Sequence, residues 1–140
     1  MDNTSILGRQ FEPGRVFGGV TYTPAHIEAP GLVVHTGNIE RYVWGATQST
    51  LAVAHAEKIE YFQNLLLESG IAAEYTTNAE VTMWSKLCTK ASFDAVTVLG
   101  RYDLGTMISH ESTRKLYMSA MQEVMGVESH QIHRFTYFPY

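Results

Sequence analysis

Cysteine is nearly absent: Cys88 is the only one in the chain. A lone cysteine excludes an intrachain disulfide and suits a reducing cytoplasm, where thiols stay reduced. Long apolar runs are missing too. No stretch approaches the roughly 18 residues that a membrane-spanning helix needs, and the polar start of the sequence lacks a signal-peptide pattern. Basic charge is scarce: 10 Lys and Arg stand against 14 Asp and Glu, a formal net charge of −4. The charges are scattered, so no basic patch invites nucleic acid and no polybasic segment invites a lipid surface. A cytoplasmic protein without nucleic-acid or membrane partners is the expectation.

Several catalytic signatures are absent as well. No G-x-S-x-G elbow supports a hydrolase. His26, His35 and His55 have no H-x-x-x-H spacing or carboxylate companion, so no metal set is expected. No G-x-G-x-x-G loop occurs, and Gly18-Gly19 cannot replace it, because that pair lies in a β-branched and aromatic run rather than between a strand and a helix.

What is present reads as globular. The apolar fraction is 45%, and 140 residues suffice for one ordinary domain with a real core. Residues 2–10 read as a short helix or helix end before a Pro13-Gly14 turn. Residues 16–23 are rich in Val, Phe, Tyr and Thr and predict a strand. Residues 24–30 read as a loop, and residues 32–36 and 39–45 as two further strands, the short Gly37-Asn38 link predicting a hairpin between them.

A clear helix is expected over residues 48–69, with Leu51, His55, Ile59, Phe62 and Leu66 on one face and Gly70 as its stop. Residues 71–75 read as a short strand. Thr77 and Glu80 match a capping box for a helix reaching about Leu99, and Ser109 can cap a last helix to roughly Val127. The resulting class is α+β: a small, mostly antiparallel sheet with one covering helix, followed by long helices. Such strands leave edges that something must cover, by oligomerisation or by another polypeptide.

Lys86 is the residue that draws attention. It stands on a helix where Val81, Trp84, Leu87, Cys88, Ala91, Ala95 and Leu99 recur at three- and four-residue spacing. A lysine at the edge of such a stripe can snorkel, methylenes on the core and ammonium in water. It can equally be a desolvated proton donor or carbonyl binder. Cys88, two residues on, reads as packing.

The order of several motifs resembles the ketopantoate reductase (2-dehydropantoate 2-reductase) family over roughly residues 1–127. Gly18-Gly19-Val20-Thr21-Tyr22 looks like the family's glycine-led strand late in the nucleotide domain. Ala29-Pro30-Gly31-Leu32-Val33-Val34-His35-Thr36-Gly37 looks like the turn and strand that follow. Trp84-Ser85-Lys86-Leu87, then Val96-Thr97-Val98-Leu99 and Leu104-Gly105, resembles the segment that leads into the helical domain, and Glu123-Val124 falls where the family has a glutamate in its next long helix.

This resemblance implies a division at residues 1–76, the tail end of a Rossmann-like nucleotide domain; 77–129, the first helices of an all-α domain; and 130–140, an aromatic tail unlike the family. It implies NADPH as cofactor and 2-dehydropantoate as the small-molecule substrate, reduced to pantoate. Lys86 matches the catalytic lysine, the general acid. Lys90 and Asp94 fall where well-known members carry substrate-contacting asparagines, and the bland alternative is an exposed i,i+4 ion pair. Ala25 matches a loop position where the family backbone approaches the cofactor. Leu104 stands at another position that is polar in the family.

The family's opening phosphate loop and its closing helices, with a substrate-binding serine and glutamate, have no counterpart here. The chain is therefore expected to be an internal portion of such an enzyme, inactive by itself. The alternative is a non-catalytic remnant or interaction module that needs a partner chain.

Overall fold

A computed structural model describes residues 3–11, 14–47 and 55–131. Pro13, the first part of the helix expected from residue 48, and residues 132–140 of the aromatic tail lie outside the described residues. Short helix α1, Asn3–Gly8, precedes strand β1, Phe17–Tyr22. Strands β2, Ala25–Ala29, β3, Leu32–His35, and β4, Arg41–Ala46, follow. Helix α2, Ala56–Glu68, leads to β5, Ala73–Thr76, and then to the long helix α3, Ala79–Gly100. Helices α4, Leu104–Ser109, and α5, Glu111–Gln131, complete the described chain. The class is α+β, and the chain divides into two compact units, 1–83 and 84–140, with α3 running across the division.

In the first unit β4 is the central strand. It pairs antiparallel with β1, Gly18 opposite Gly45 and Gly19 opposite Trp44, and parallel with β5, Trp44 opposite Tyr75. Covering both faces explains why Val43, Trp44 and Ala46 are all buried, where sequence alternation predicts one face only. Trp44 anchors the α2 side: the rings of Phe17, Phe62 and Tyr75 meet it edge-on at 5.4, 4.9 and 5.2 Å. On the opposite face, a side chain at Gly18 would collide with the Met83 sulfur and crowd Ala79, so the start of α3 packs directly on the strand.

The expected hairpin between residues 32–36 and 39–45 does not form. β3 pairs instead with β2, which occupies most of the stretch expected to be a loop. Ala29-Pro30-Gly31-Leu32 closes that ribbon: proline presets the first central position of a type II turn, and Gly31 at φ +82° takes the second. β4 carries the apolar side chains that require cover on both faces, and pairing with β1 and β5 makes it the central strand, with α2 against one face and the start of α3 against the other. The β2–β3 ribbon is largely exposed, with Ile27 and Val33 cross-strand neighbours on its surface.

Helix ends depart from expectation by small shifts. Asn78, not Thr77, caps α3: its side-chain oxygen accepts the Val81 N–H at 3.3 Å, while its own N–H donates to Thr76 Oγ1. Asparagine ranks above threonine as a helix N-cap. Ser109 caps nothing. It ends α4, a short helix that sequence reasoning missed, and Asp103 caps that helix by accepting the Thr106 N–H at 2.6 Å. α2 closes on Gly70 at φ +79°, with the Ile71 N–H returning to Leu66.

In the second unit the buried seam of α3 is Cys88, Ser92 and Val96 with Thr97, whereas Ala95 is exposed and Leu99 is 84% exposed. The stripe expected from sequence therefore turns away from the core in its last two turns. Cys88 is fully buried, its thiol 3.5 Å from the Met121 carbonyl of α5. α4 is tied to the start of α5 through Thr113 Oγ1, which donates to the Met107 carbonyl at 2.6 Å, and Arg114, which donates to that of Ile108 at 3.1 Å.

Candidate active site

Capped at Asn78, α3 carries three chemistry-bearing residues at four-residue spacing, Lys86, Lys90 and Asp94. A spacing of four advances about 6 Å along a helix and only about 40° around it, so the three form one stripe. Residue 88 lies some 200° round from 86, so the stripe runs opposite the Cys88–Ser92 seam. Lys86 is half-buried, and Lys90 is exposed.

Lys90 Nζ and Asp94 Oδ1 form a direct ion pair, with side chains 56% and 46% exposed. The same ammonium stands 5.6 Å from the centre of the Phe93 ring, a second attraction that orients it. Between the two lysines, Thr89 Oγ1 donates to the carbonyls of Ser85 and Lys86 at 3.2 and 3.1 Å. Ser92 Oγ, behind the stripe, is buried without a hydrogen-bond partner among the described residues. That hydroxyl gave no signal in the sequence.

Ala25 belongs to the first unit. It is the exposed first residue of β2, opposite His35, rather than a loop residue. Elsewhere in that unit, a hollow of about 770 Å³ opens beside Trp44 between Phe11, Phe17 and Phe62, with Arg15 and Lys58 in its lining.

A dinucleotide pyrophosphate needs a strand exit, a glycine loop and free helix N–H groups. The described residues do not fit it. Gly18 and Gly19 lie inside β1, and a side chain at either would crowd Met83 or Tyr42. The parallel strand β5 does lead into a helix, but through Thr76-Thr77-Asn78, and the asparagine side chain already takes one of the exposed N–H groups. None of the helices in the described residues is long and apolar enough to cross a membrane.

Comparison with known proteins connects this helix to a family. The family described as ketopantoate reductase PanE/ApbA C terminal matches residues 78–136, a stretch that opens at the α3 cap and contains Lys86, Lys90 and Asp94. The chain resembles the ketopantoate reductases. A 2-dehydropantoate 2-reductase of Mesorhizobium japonicum is 24% identical over 127 residues, covering 91% of this chain and 37% of that protein. The crystal structure of 2-dehydropantoate 2-reductase from Geobacter metallireducens superposes with a TM-score of 0.72 at 23% identity, covering 90% of this chain and 40% of the other. The ketopantoate-reductase fold thus extends over both units, and the chain spans well under half the length of these relatives.

Proposed function

We propose that this chain carries the proton-donating helix of an NADPH-dependent reductase that converts 2-dehydropantoate to pantoate, with Lys86 as the general acid. The observation that carries the reading is Lys86 itself: half-buried on α3, inside the stretch matched by the ketopantoate reductase family, one turn from a second lysine. Reduction of a ketone builds negative charge on its oxygen. A positioned ammonium stabilises that charge and delivers the proton that completes the alcohol. Lysine suits both tasks, whereas arginine holds its proton too tightly to give it up.

Lys90 and Asp94 are the substrate-side residues in this reading, and Ala25 matches a position where the family backbone approaches the cofactor. NADPH is the hydride source implied by the family likeness. Its pyrophosphate has no cradle among the described residues, so the 140 residues alone are expected to be inactive and to bind NADPH weakly. The missing cradle also favours a second reading, a non-catalytic interaction module completed by another chain.

The two separate in a graft. Residues 1–127 replace the matching segment of the Mesorhizobium reductase, and NADPH oxidation is followed with 2-dehydropantoate. Lys86→Ala should lower turnover by roughly 10² to 10⁴, the usual contribution of acid–base catalysis. Lys86→Arg should restore little of it. Near-normal turnover by Lys86→Ala sinks the assignment, and a folded graft without activity favours the interaction module.

A further inference from the structure

The hollow beside Trp44 is built by separate elements of the first unit. Phe17 begins β1 and Trp44 lies in β4, while His55, Lys58 and Phe62 follow one face of α2 at three- and four-residue spacing. Phe11 and Arg15 reach it from the chain between α1 and β1. Trp44 is buried, whereas Phe11, Phe17 and Phe62 stay 55%, 36% and 41% exposed. Phe17 and Phe62 stand steeply against the indole, at interplanar angles of 61° and 88°, so aromatic rings wall the space. Scattered exposed apolar side chains are ordinary, but these three converge on one hollow. Its volume of about 770 Å³ falls in the range of small-molecule sites.

The charge in the lining is of one sign. Arg15 and Lys58 are cationic, His55 adds an imidazole that the α2 cap does not use, and the lining holds no carboxylate among the described residues. That runs against the composition of the chain, which has 14 acidic residues to 10 Lys and Arg. Aromatic walls alone would suit a ligand cation. Two positive side chains in the same lining repel one, and a neutral ring gains nothing from them.

We infer that this hollow binds a small, flat aromatic anion, its ring between Phe11, Phe17 and Phe62 and its acid group at Arg15 and Lys58. Apolar surface removed from water supplies the affinity, and the two bases select the sign of the charge. The site shares no residue with the Lys86 stripe, so it stands apart from the reductase reading.

The test is an NMR titration of the 140-residue chain with 2-naphthoate, its neutral amide and the cationic 2-naphthylmethylamine, read at the Trp44 indole N–H. Trp84, outside the lining, supplies the reference signal. Naphthoate should shift Trp44 saturably and bind more tightly than the amide, with the amine weakest. Arg15→Gln and Lys58→Gln should each weaken naphthoate about two- to fivefold, the weight of an exposed charge pair, and leave the amide unchanged. Phe11→Ala, at the most exposed wall, should weaken both by roughly two- to tenfold, the weight of one aromatic contact. Melting curves check that each variant folds, and the comparison of the three probes on the wild type needs no substitution.

No shift of Trp44 by millimolar naphthoate, an acid bound no tighter than the amide, or acid binding that ignores both charge substitutions overturns the site. None of these outcomes touches the assignment of Lys86.

Discussion

Gln63 ties Trp44 to a strand to which neither residue belongs. The indole N–H of Trp44 in β4 donates to Gln63 Oε1 at 2.8 Å, and the same carboxamide donates to the Ala73 carbonyl of β5 at 2.7 Å. One side chain of α2 thus satisfies the only polar atom of a buried indole and clamps the parallel strand pair. Gln63→Leu should cost about 1–3 kcal/mol, because the indole N–H remains buried without an acceptor. Gln63→Glu should cost less near neutral pH, since a carboxylate still accepts from the indole although it cannot serve Ala73. Urea unfolding followed by tryptophan fluorescence reads both, and an unchanged midpoint for Gln63→Leu contradicts the clamp.

Gly45 is required by the close approach of β4 and β5. A side chain there would collide with the Thr76 carbonyl oxygen, which is backbone and cannot rotate aside. Gly45→Ala should therefore destabilise by at least about 1–3 kcal/mol, the usual cost of overpacking. Gly126→Ala, on α5 with open space around the new methyl, is the control and should stabilise by about 0.5–1 kcal/mol. Thermal unfolding of the two variants should move in opposite directions.

Arg101 ends α3 in the left-handed region at φ +54°, with the Tyr102 N–H returning to the Thr97 carbonyl. Glycine is the usual occupant of that position because it has no Cβ to clash. Arg101→Gly should raise stability by about 1 kcal/mol, the strain relieved outweighing the added freedom of the unfolded chain. A lower unfolding midpoint would show that the arginine side chain makes up for its backbone.

Asp103 supplies the pH dependence. The Thr106 backbone N–H, and then its hydroxyl, hold the carboxyl below the usual aspartate range. A carboxyl depressed in the folded state stabilises above its unfolded pKa, and that stability fades as pH falls toward the folded value. Wild-type stability should thus decline from about pH 4 downward relative to Asp103→Asn, which keeps a cap but does not titrate. Parallel melting curves for the two proteins from pH 6 to pH 2.5, an experimental range, would contradict this.

Much of the local structure was legible because it depends on neighbours in sequence. The β-branched run at residues 17–22, Gly70 as a stop, and the existence of a long helix ending at Gly100 each depend on residues close in sequence, although which face of that helix is buried near its end does not. The cap of α3 was misread by one residue, since Thr77 and Asn78 are both competent and only the observed bond to Val81 separates them. α4 escaped notice because six residues are too few to display a helical period. The motif order that led to Lys86 was legible because it is a property of the linear sequence, running from Gly18 in β1 to Val124 in α5.

By itself the sequence determined what the pitch of a helix determines: Lys86, Lys90 and Asp94 at four-residue spacing must share a stripe, and a Lys–Asp pair one turn apart can close. Which strand β4 pairs with, and that Gln63 rather than water receives the Trp44 N–H, only the tertiary structure decided. β1 and β3 both offered edges to β4. The choice fell to the arrangement that buries Val43, Trp44 and Ala46 together, and that competition is settled by surface removed from water across the whole unit.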